Sequence, residues 1–309
     1  MRIHADNVNL KSASGPNTFA SRLFKQFYEL GHEVTFDASS ADVSIVFIER
    51  SGALLAKHVV QRLDGIWFKP NEFNTKNVNI KSLYESCDSV IWQSEFDRKM
   101  TTKWWGDRIG HVIHNGIDAT QIKEITLPEL ARIRTAYEKV FVCSSNWHPQ
   151  KRLMANMQMF DHLRKTKYPN SCLFVMGANP DVRTTDPHVF YTGSQPPEVY
   201  LQIFACANWM IHLAWADHCP NVVIESLSQG TPVICTEVGG TREIVDQFGV
   251  ILKESSYNFE LADYDNPPKI DVTQIVDLPK KHELGSHADI DIKNTAKRYI
   301  EVFESALGK

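Results

Sequence analysis

The chain has no CxxC pair, no apolar run near the roughly 18 residues that a membrane helix needs, and no marked excess of either charge. A net charge of -4 over 309 residues leaves no electrostatic footprint for nucleic acid and no strong attraction to anionic membranes, although clustered lysines and arginines still allow a local patch. Six scattered cysteines, mostly inside apolar runs, read as reduced core thiols. The opening MRIHADNVNL lacks the basic flank and apolar stretch of a signal peptide, so an intracellular, cytoplasmic protein is expected. No GxGxxG follows the first apolar run, which removes most support for a nicotinamide dehydrogenase. GxxxxGK[ST] and GxSxG are also missing, against a P-loop NTPase and an α/β-hydrolase. The 12 histidines are dispersed and Asp217 beside His218 does not make a cage, so no metal is expected. Repeats, low-complexity segments and coiled-coil patterns are lacking too.

What is present is an alternation of short apolar runs with helical periodicity, and it occurs twice. In the first half, strands are expected at 1–4, 33–36, 43–48, 89–93 and 109–113, with a helix through Phe19, Leu23, Phe27 and Leu30 stopped by Gly31. A helix-to-strand passage is expected over 59–68, and a helix with Phe96 and Met100. The segment 119–139 is polar with a weak helix and reads as a connection. Strands then recur at 140–144, 173–176, 189–192 and 209–213, with helices through Met154 to Leu163 and around 198–206. From 258 to 287 the composition is polar and no element is clear, and 293–307 is a terminal amphipathic helix. Two such sets imply two doubly wound parallel sheets facing a cleft.

The richest stretch is WADHCPNVVIESLSQGTPVICTEVGGTREIV, Trp215 to Val245. Pro220 suits the first position of a helix over 221–229, where its nitrogen needs no partner, and Gly230 with Pro232 closes it. The free amides and positive end of that helix face Asp217, His218 and Cys219, a place for an anion. Glu225, one turn in, is placed to accept hydrogen bonds from a diol. An apolar strand at 233–235 and a Gly239-Gly240 turn that admits close backbone approach follow, before a helix from Thr241. The same pattern also fits an ordinary βα unit whose glycines serve turns.

These residues resemble the retaining glycosyltransferases of GT-B fold, glycosyltransferase family 4. The family's acid, seven residues and glutamate, then Gly-x-Pro-Val and a Gly-Gly turn, appear in order as Asp217, Glu225, Gly230, Pro232, Val233, Gly239, Gly240 and Glu243. Tyr191-Thr192-Gly193 and Pro149-Gln150-Lys151 are similar to the strand end and the Pro-acid-Lys loop of the nucleotide pocket. Gly15-Pro16, Gly31-His32-Glu33-Val34 and Asn115-Gly116-Ile117-Asp118 match the opening of the first domain and the interdomain turn.

The resemblance implies an α/β, GT-B chain with two Rossmann-like doubly wound parallel-sheet domains about a central cleft. An acceptor-side domain over 1–120, completed by the helix at 293–309, would precede a nucleotide-sugar domain over 121–290. It implies that Glu225 binds the ribose, that Asp217 holds hydroxyls of the transferred sugar, and that Lys151 neutralises the departing diphosphate. Amides of His218, Cys219, Pro220, Asn221 and Val222 would surround phosphate and sugar ring, with Gly193 in the pocket and Gly15 and Pro16 approaching donor phosphate or acceptor. The implied reaction moves a hexose from a GDP- or UDP-linked donor, such as GDP-mannose or UDP-glucose, to an acceptor hydroxyl with retention and without metal or other cofactor.

Three departures stand out. Asp217 replaces the usual glutamate, and Ser145-Asn146 replace a Gly-Arg pair, so Arg152 is the substitute phosphate cation. No first-domain histidine is evident, leaving Lys69, Asn71 and His114 as candidates by strand-end placement. Two alternatives remain open at this level: a nucleotide-sugar-binding module without transfer, and a nucleotide-sugar epimerase. The acceptor, whether glycan, lipid or protein, is unspecified, and a peripheral membrane contact or an oligomer is compatible with the sequence.

Overall fold

The computed structural model describes residues 1–12, 14–118, 124–274, 277–283 and 286–308. In chain order the main elements are β1 (Arg2–Asp6), α1 (Gly15–Glu29), β2 (Glu33–Thr35), β3 (Val43–Phe47), β4 (His58–Leu63), α2 (Pro70–Lys76), α3 (Val78–Ser86), β5 (Ser89–Trp92), α4 (Glu95–Trp105) and β6 (Gly110–Val112). They continue with α5 (Pro128–Ala136), β7 (Lys139–Ser144), α6 (Leu153–Thr166), β8 (Ser171–Met176), β9 (Val189–Gly193), α7 (Pro197–Cys206), β10 (Trp209–His212), α8 (Asn221–Ser228), β11 (Val233–Thr236), α9 (Thr241–Val245), β12 (Gly249–Leu252) and α10 (Ile292–Ala306). Two compact units result. One holds Met1–Asp118, Asn258–Asp263 and Ala288–Lys309, and the other Ala119–Tyr257 and Tyr264–His287. The expected cut at 120/121 lies outside the described residues.

The first unit is a parallel sheet in the order β2-β1-β3-β4-β5-β6. Buried Phe19, Leu23 and Phe27 recur on one face of α1 and meet Tyr299 and Phe303 of α10, with ring centroids 5.8 Å apart for Phe27 and Phe303. The terminal helix thus belongs to this unit's core. Gly116 and Ile117 hold its start. A Cβ on Gly116 would lie 2.8 Å from the Ile292 Cα, and Ile117 N–H donates to Ile290 O at 2.9 Å. Asn115, only 3% exposed, accepts from the buried Arg62 guanidinium at 2.8 Å and donates to Gln93 at 3.0 Å.

The passage expected over 59–68 is the reverse of what is found: β4 occupies 58–63 and the helices come after it. His58–Leu63 carries Gln61 and Arg62 inside an otherwise apolar strand, which hides its period from sequence reading. The polar segment 258–263 returns to the first unit although it forms no regular element. There Trp104 Nε1 donates to Phe259 O at 2.9 Å, Lys103 pairs with Glu260, Lys69 lies 3.4 Å from Asp263, and Phe96 packs on Phe259. Trp104 and Trp105 are packing residues here, the latter against Tyr84. Of the first-domain candidates, Lys69 is thus tied to Asp263, Asn71 lies in α2, and His114 follows β6 with its carbonyl 3.5 Å from Thr295 Oγ1.

The second unit repeats the plan in the order β12-β11-β10-β7-β8-β9, all pairs parallel. From β7 the chain moves outward through β8 and β9, then returns through α7 to the other side of β7 as β10. The order therefore reverses between β7 and β10, and ligands of such sheets bind outside the carboxyl ends of the strands at that reversal. Strand β12 had no expected counterpart, because its four residues at 249–252 are too short to show a period. All six cysteines are buried thiols. Among the described residues no helix is long and apolar enough to cross a membrane.

Candidate functional site

Two loops leave the sheet at the reversal, 145–152 after β7 and 213–220 after β10. Backbone contacts stitch them together. Gln150 O accepts Trp215 N–H at 2.9 Å, and the Gln150 side chain donates to Trp215 O at 2.9 Å. The glycine turn after β11 closes on the second loop, with Gly240 N–H donating to Asp217 O at 2.7 Å. That approach requires glycine at 239. Its φ is +128°, and a Cβ there would stand 2.8 Å from Asp217 O.

Within this frame Lys151 and Asp217 meet, Nζ to Oδ2 at 2.6 Å. His212, at the end of β10 and 4% exposed, brings Nε2 to the same Oδ2 at 3.2 Å. An ionised carboxylate only accepts, so this Nε2 carries the proton. Oδ1 of Asp217 takes no partner among the described residues. Burial by itself would raise the Asp217 carboxyl, but the Lys151 charge and the hydrogen bonds from His212 and Lys151 outweigh it and hold the group far below the ordinary carboxylate range. The two neighbouring histidines are lowered as well, but by burial. Burial lowers His212 despite its bond to Asp217, and burial with the nearby Lys151 lowers His218 to about 4 against the pull of Asp217.

A pH dependence of stability follows. Each of these histidines binds a proton more readily in the unfolded chain, where its pKa is about 6.5. Their contribution is complete above that value and is lost as the pH falls toward about 4, the lowered value of His218. The thermal midpoint should therefore drop between pH 6.5 and 4, with a shallower drop in His218→Gln. Asp217, depressed, adds a loss of the same sign below about pH 4, its unfolded range. Melting curves across this range check both.

Helix α8 starts just past the loop. Pro220 precedes the first helical residue rather than occupying it, and its carbonyl accepts Val223 N–H at 3.1 Å and Ile224 N–H at 3.4 Å. Pro220, at the cap position, offers no side-chain hydrogen bond, and Asn221 and Val222 open the helix at its positive end. His218 and Cys219 form the last turn of the loop, Cys219 being 7% exposed. Glu225 sits one turn in, 5% exposed, and accepts the Tyr200 hydroxyl at 2.9 Å. Gly193 ends β9 at φ +67° and accepts Gly177 N–H at 2.9 Å. Gly15 and Pro16 open α1 in the first unit.

Arg152 does not join Lys151. Its backbone is left-handed, with φ +50°, and its buried guanidinium pairs with Glu254 at 2.9 Å while donating to Pro268 O at 2.5 Å. Glu254 also accepts Val238 N–H at 3.0 Å, so this pair ties the β7 loop to the glycine turn. The expectation of Arg152 as a phosphate cation is corrected to a structural role, since both terminal nitrogens donate to protein acceptors inside the unit and only its buried Nε has no partner among the described residues. Arg152→Met, which strands Glu254, should cost about 3–5 kcal/mol in urea unfolding. Ligand affinity per folded molecule should stay within roughly twofold, because no ligand contact is lost. His212, Tyr200 and Glu254 have no sequence signal: the last two lie 25 and 102 residues from the groups they hold, beyond any short motif, and His212 sits in an apolar run five residues before Asp217.

Paired doubly wound sheets with flanking helices define a GT-B fold. HepE of Anabaena, solved with UDP-glucose, shares that fold at TM-score 0.68 and 14% identity, over 99% of this chain and 100% of that one. A glycosyltransferase from Rickettsia africae does so at TM-score 0.65 and 12% identity, over 99% and 98%. Residues 138–263, which carry the loops, α8 and the glycine turn, match the family of glycosyl transferases group 1. The O-antigen chain mannosyltransferase B of Escherichia coli is 21% identical over 189 residues, 55% of this chain. The chain spans about half the length of that curated relative, 50% of which is covered.

Proposed function

We propose that the protein transfers a hexose from a GDP- or UDP-linked donor to an acceptor hydroxyl with retained configuration and without a metal. The observation that carries this reading is the Lys151-Asp217-His212 constellation at the strand reversal, beside the amino-terminal end of α8 and Glu225. An ammonium has three donors, and Asp217 takes one of them. The other two suit oxygens of a diphosphate as it gains charge on leaving, and the α8 amides add donors fixed before the reaction. Glu225 accepts from the ribose diol, with Tyr200 orienting the carboxylate.

Asp217 offers Oδ1 to hydroxyls of the transferred sugar. A carboxylate whose pKa is held so low is a poor base, so the acceptor proton goes elsewhere. In a front-face reaction an oxygen of the departing phosphate takes it as the anomeric carbon forms its new bond. The choice of a nucleotide hexose draws on the UDP-glucose in Anabaena HepE and on the mannosyltransferase relative.

Calorimetric titration with a panel of GDP- and UDP-sugars tests the reading. One donor should bind with measurable heat at millimolar concentration or below, and equally well with excess chelator. If none binds, the reading fails; if binding or turnover needs a divalent ion, the account of the leaving group fails. Donor interconversion in the absence of any acceptor would instead identify an epimerase.

A further inference from the structure

Asp217 faces basic groups from three neighbouring segments. Lys151 and His148 come from the loop after β7, His212 ends β10, and His218 follows Asp217 in its own loop. Lys151 and His212 reach the same carboxylate oxygen, at 2.6 and 3.2 Å. His148 is one turn of chain from Lys151, whose N–H donates to His148 O at 2.8 Å. The rings of His148 and His218 are close enough for the charges of both Lys151 and Asp217 to act on them, and Asp181 and Asp265 also act on His148. Burial lowers all three histidines below their ordinary range. Lys151 pushes the same way, and Asp217 opposes it without prevailing. Near neutral pH the three rings are therefore uncharged. The charges that remain cancel in pairs, Lys151 with Asp217 and, in the same loop, Arg152 with Glu254. An anion that enters here brings charge that these two pairs do not offset, and unbalanced charge in a buried setting is costly. An imidazole beside the anion offsets it by taking a single proton.

We propose that a phosphate-bearing ligand enters this site together with a proton, which the cluster of His148, His212 and His218 holds while the ligand is bound. The identification of that ligand as a nucleoside diphosphate sugar rests on the transferase reading; the proton linkage does not. An arginine would keep its charge in every state. A histidine gains charge only while the anion is present and gives it up when the anion leaves, so the empty site is spared a concentration of buried positive charge. The sign of the pH effect follows. In the free protein the rings titrate below their ordinary value of about 6.5, and a bound anion raises whichever ring it faces. Binding therefore takes up protons in the interval between the two values, and it weakens as the pH rises through the upper one.

Calorimetry on the full chain tests this with UDP-glucose, GDP-mannose and sulfate, none of which changes its own protonation between about pH 6 and about pH 8. Titrations at about pH 6 in buffers of different ionisation enthalpy count the protons. About 0.3 to 1 proton should be taken up per ligand bound, and affinity should be roughly four- to tenfold higher at about pH 6 than at about pH 8. The imidazole Cε1–H resonances, followed by NMR against pH, locate the proton. On saturation with ligand, the titration midpoint of at least one of His148, His212 and His218 should rise by about one pH unit or more. His148→Gln and His218→Gln assign the resonances, and the calorimetry itself needs no variant. Zero uptake with a ligand that binds, or uptake with all three midpoints unmoved, overturns the proposal. If neither the donors nor sulfate binds, both readings fall. If sulfate alone binds, with uptake, the donor reading falls and this one stands; if the donors bind without uptake, this one falls alone.

Discussion

Glu225→Ala should weaken nucleotide-sugar binding by about 1.5–3 kcal/mol, roughly 10- to 150-fold, the range for hydrogen bonds to a charged group. The carboxylate is buried on a helix one turn from the loop that holds Asp217, and the Tyr200 hydroxyl fixes one of its oxygens. Two effects combine: a ligand diol loses its acceptor, and Tyr200 loses its partner. Tyr200→Phe isolates the second and should cost only about 0.5–1.5 kcal/mol. The comparison that matters is between nucleotide sugars and free hexoses. If Glu225 holds the ribose, free-hexose binding is untouched by Glu225→Ala; an equal loss for both would assign this carboxylate to the sugar instead. Titration of both ligands on the same protein preparation decides it.

The second large effect concerns the pair at the reversal. Asp217→Asn keeps the shape of the side chain but removes the charge that faces Lys151. Turnover should fall by about 10²–10³-fold, as when one fixed donor or acceptor of a developing charge is removed, while donor affinity changes less than about tenfold. Lys151→Ala should behave differently. It leaves a buried carboxylate without its cation, which costs stability by about 3–5 kcal/mol, and it removes the phosphate contact as well. Removing both partners should cost less stability than the sum of the single changes, because neither charge is then stranded. A double-mutant cycle in urea, run beside steady-state kinetics, separates the structural part of the pair from its chemistry. Stability changes that simply add would mean that the 2.6 Å contact does not couple the two groups.

Much of the fold could be read because its elements announce themselves locally. Gly31 after the α1 periodicity, the apolar runs at 43–47 and 140–144, and Pro-Val-Ile-Cys after Gly230 each carry their own boundary signal. Strand β4 hides in its sequence because Gln61 and Arg62 are buried there as polar residues, with hydrogen bonds to Ile48, Ile80 and Asn115 that lie far along the chain. Among the site residues, types were legible and partners were not. Arg152 next to Lys151 looked like a second cation for phosphate. Only its left-handed backbone and the position of Glu254, 102 residues on, send the two neighbouring side chains to different duties. His212 sits in the apolar run Met-Ile-His-Leu, where nothing local distinguishes a satisfied core histidine from one that supports an acid.

The division of the chain also has a consequence for its synthesis. Both units take segments from the last fifty or so residues, 264–287 for the second unit and 288–309 for the first. Phe19 and Phe27 are made long before Tyr299 and Phe303, yet both pack against Tyr299, with Phe27 also on Phe303. Neither half can mature as soon as its first residues emerge from the ribosome, as an uninterrupted domain does. An apolar face of the first unit waits through the synthesis of the whole second unit for the helix that covers it. A stop codon within α10 would therefore expose the core of the first unit, far back in the sequence, while every segment of the second unit would already be made.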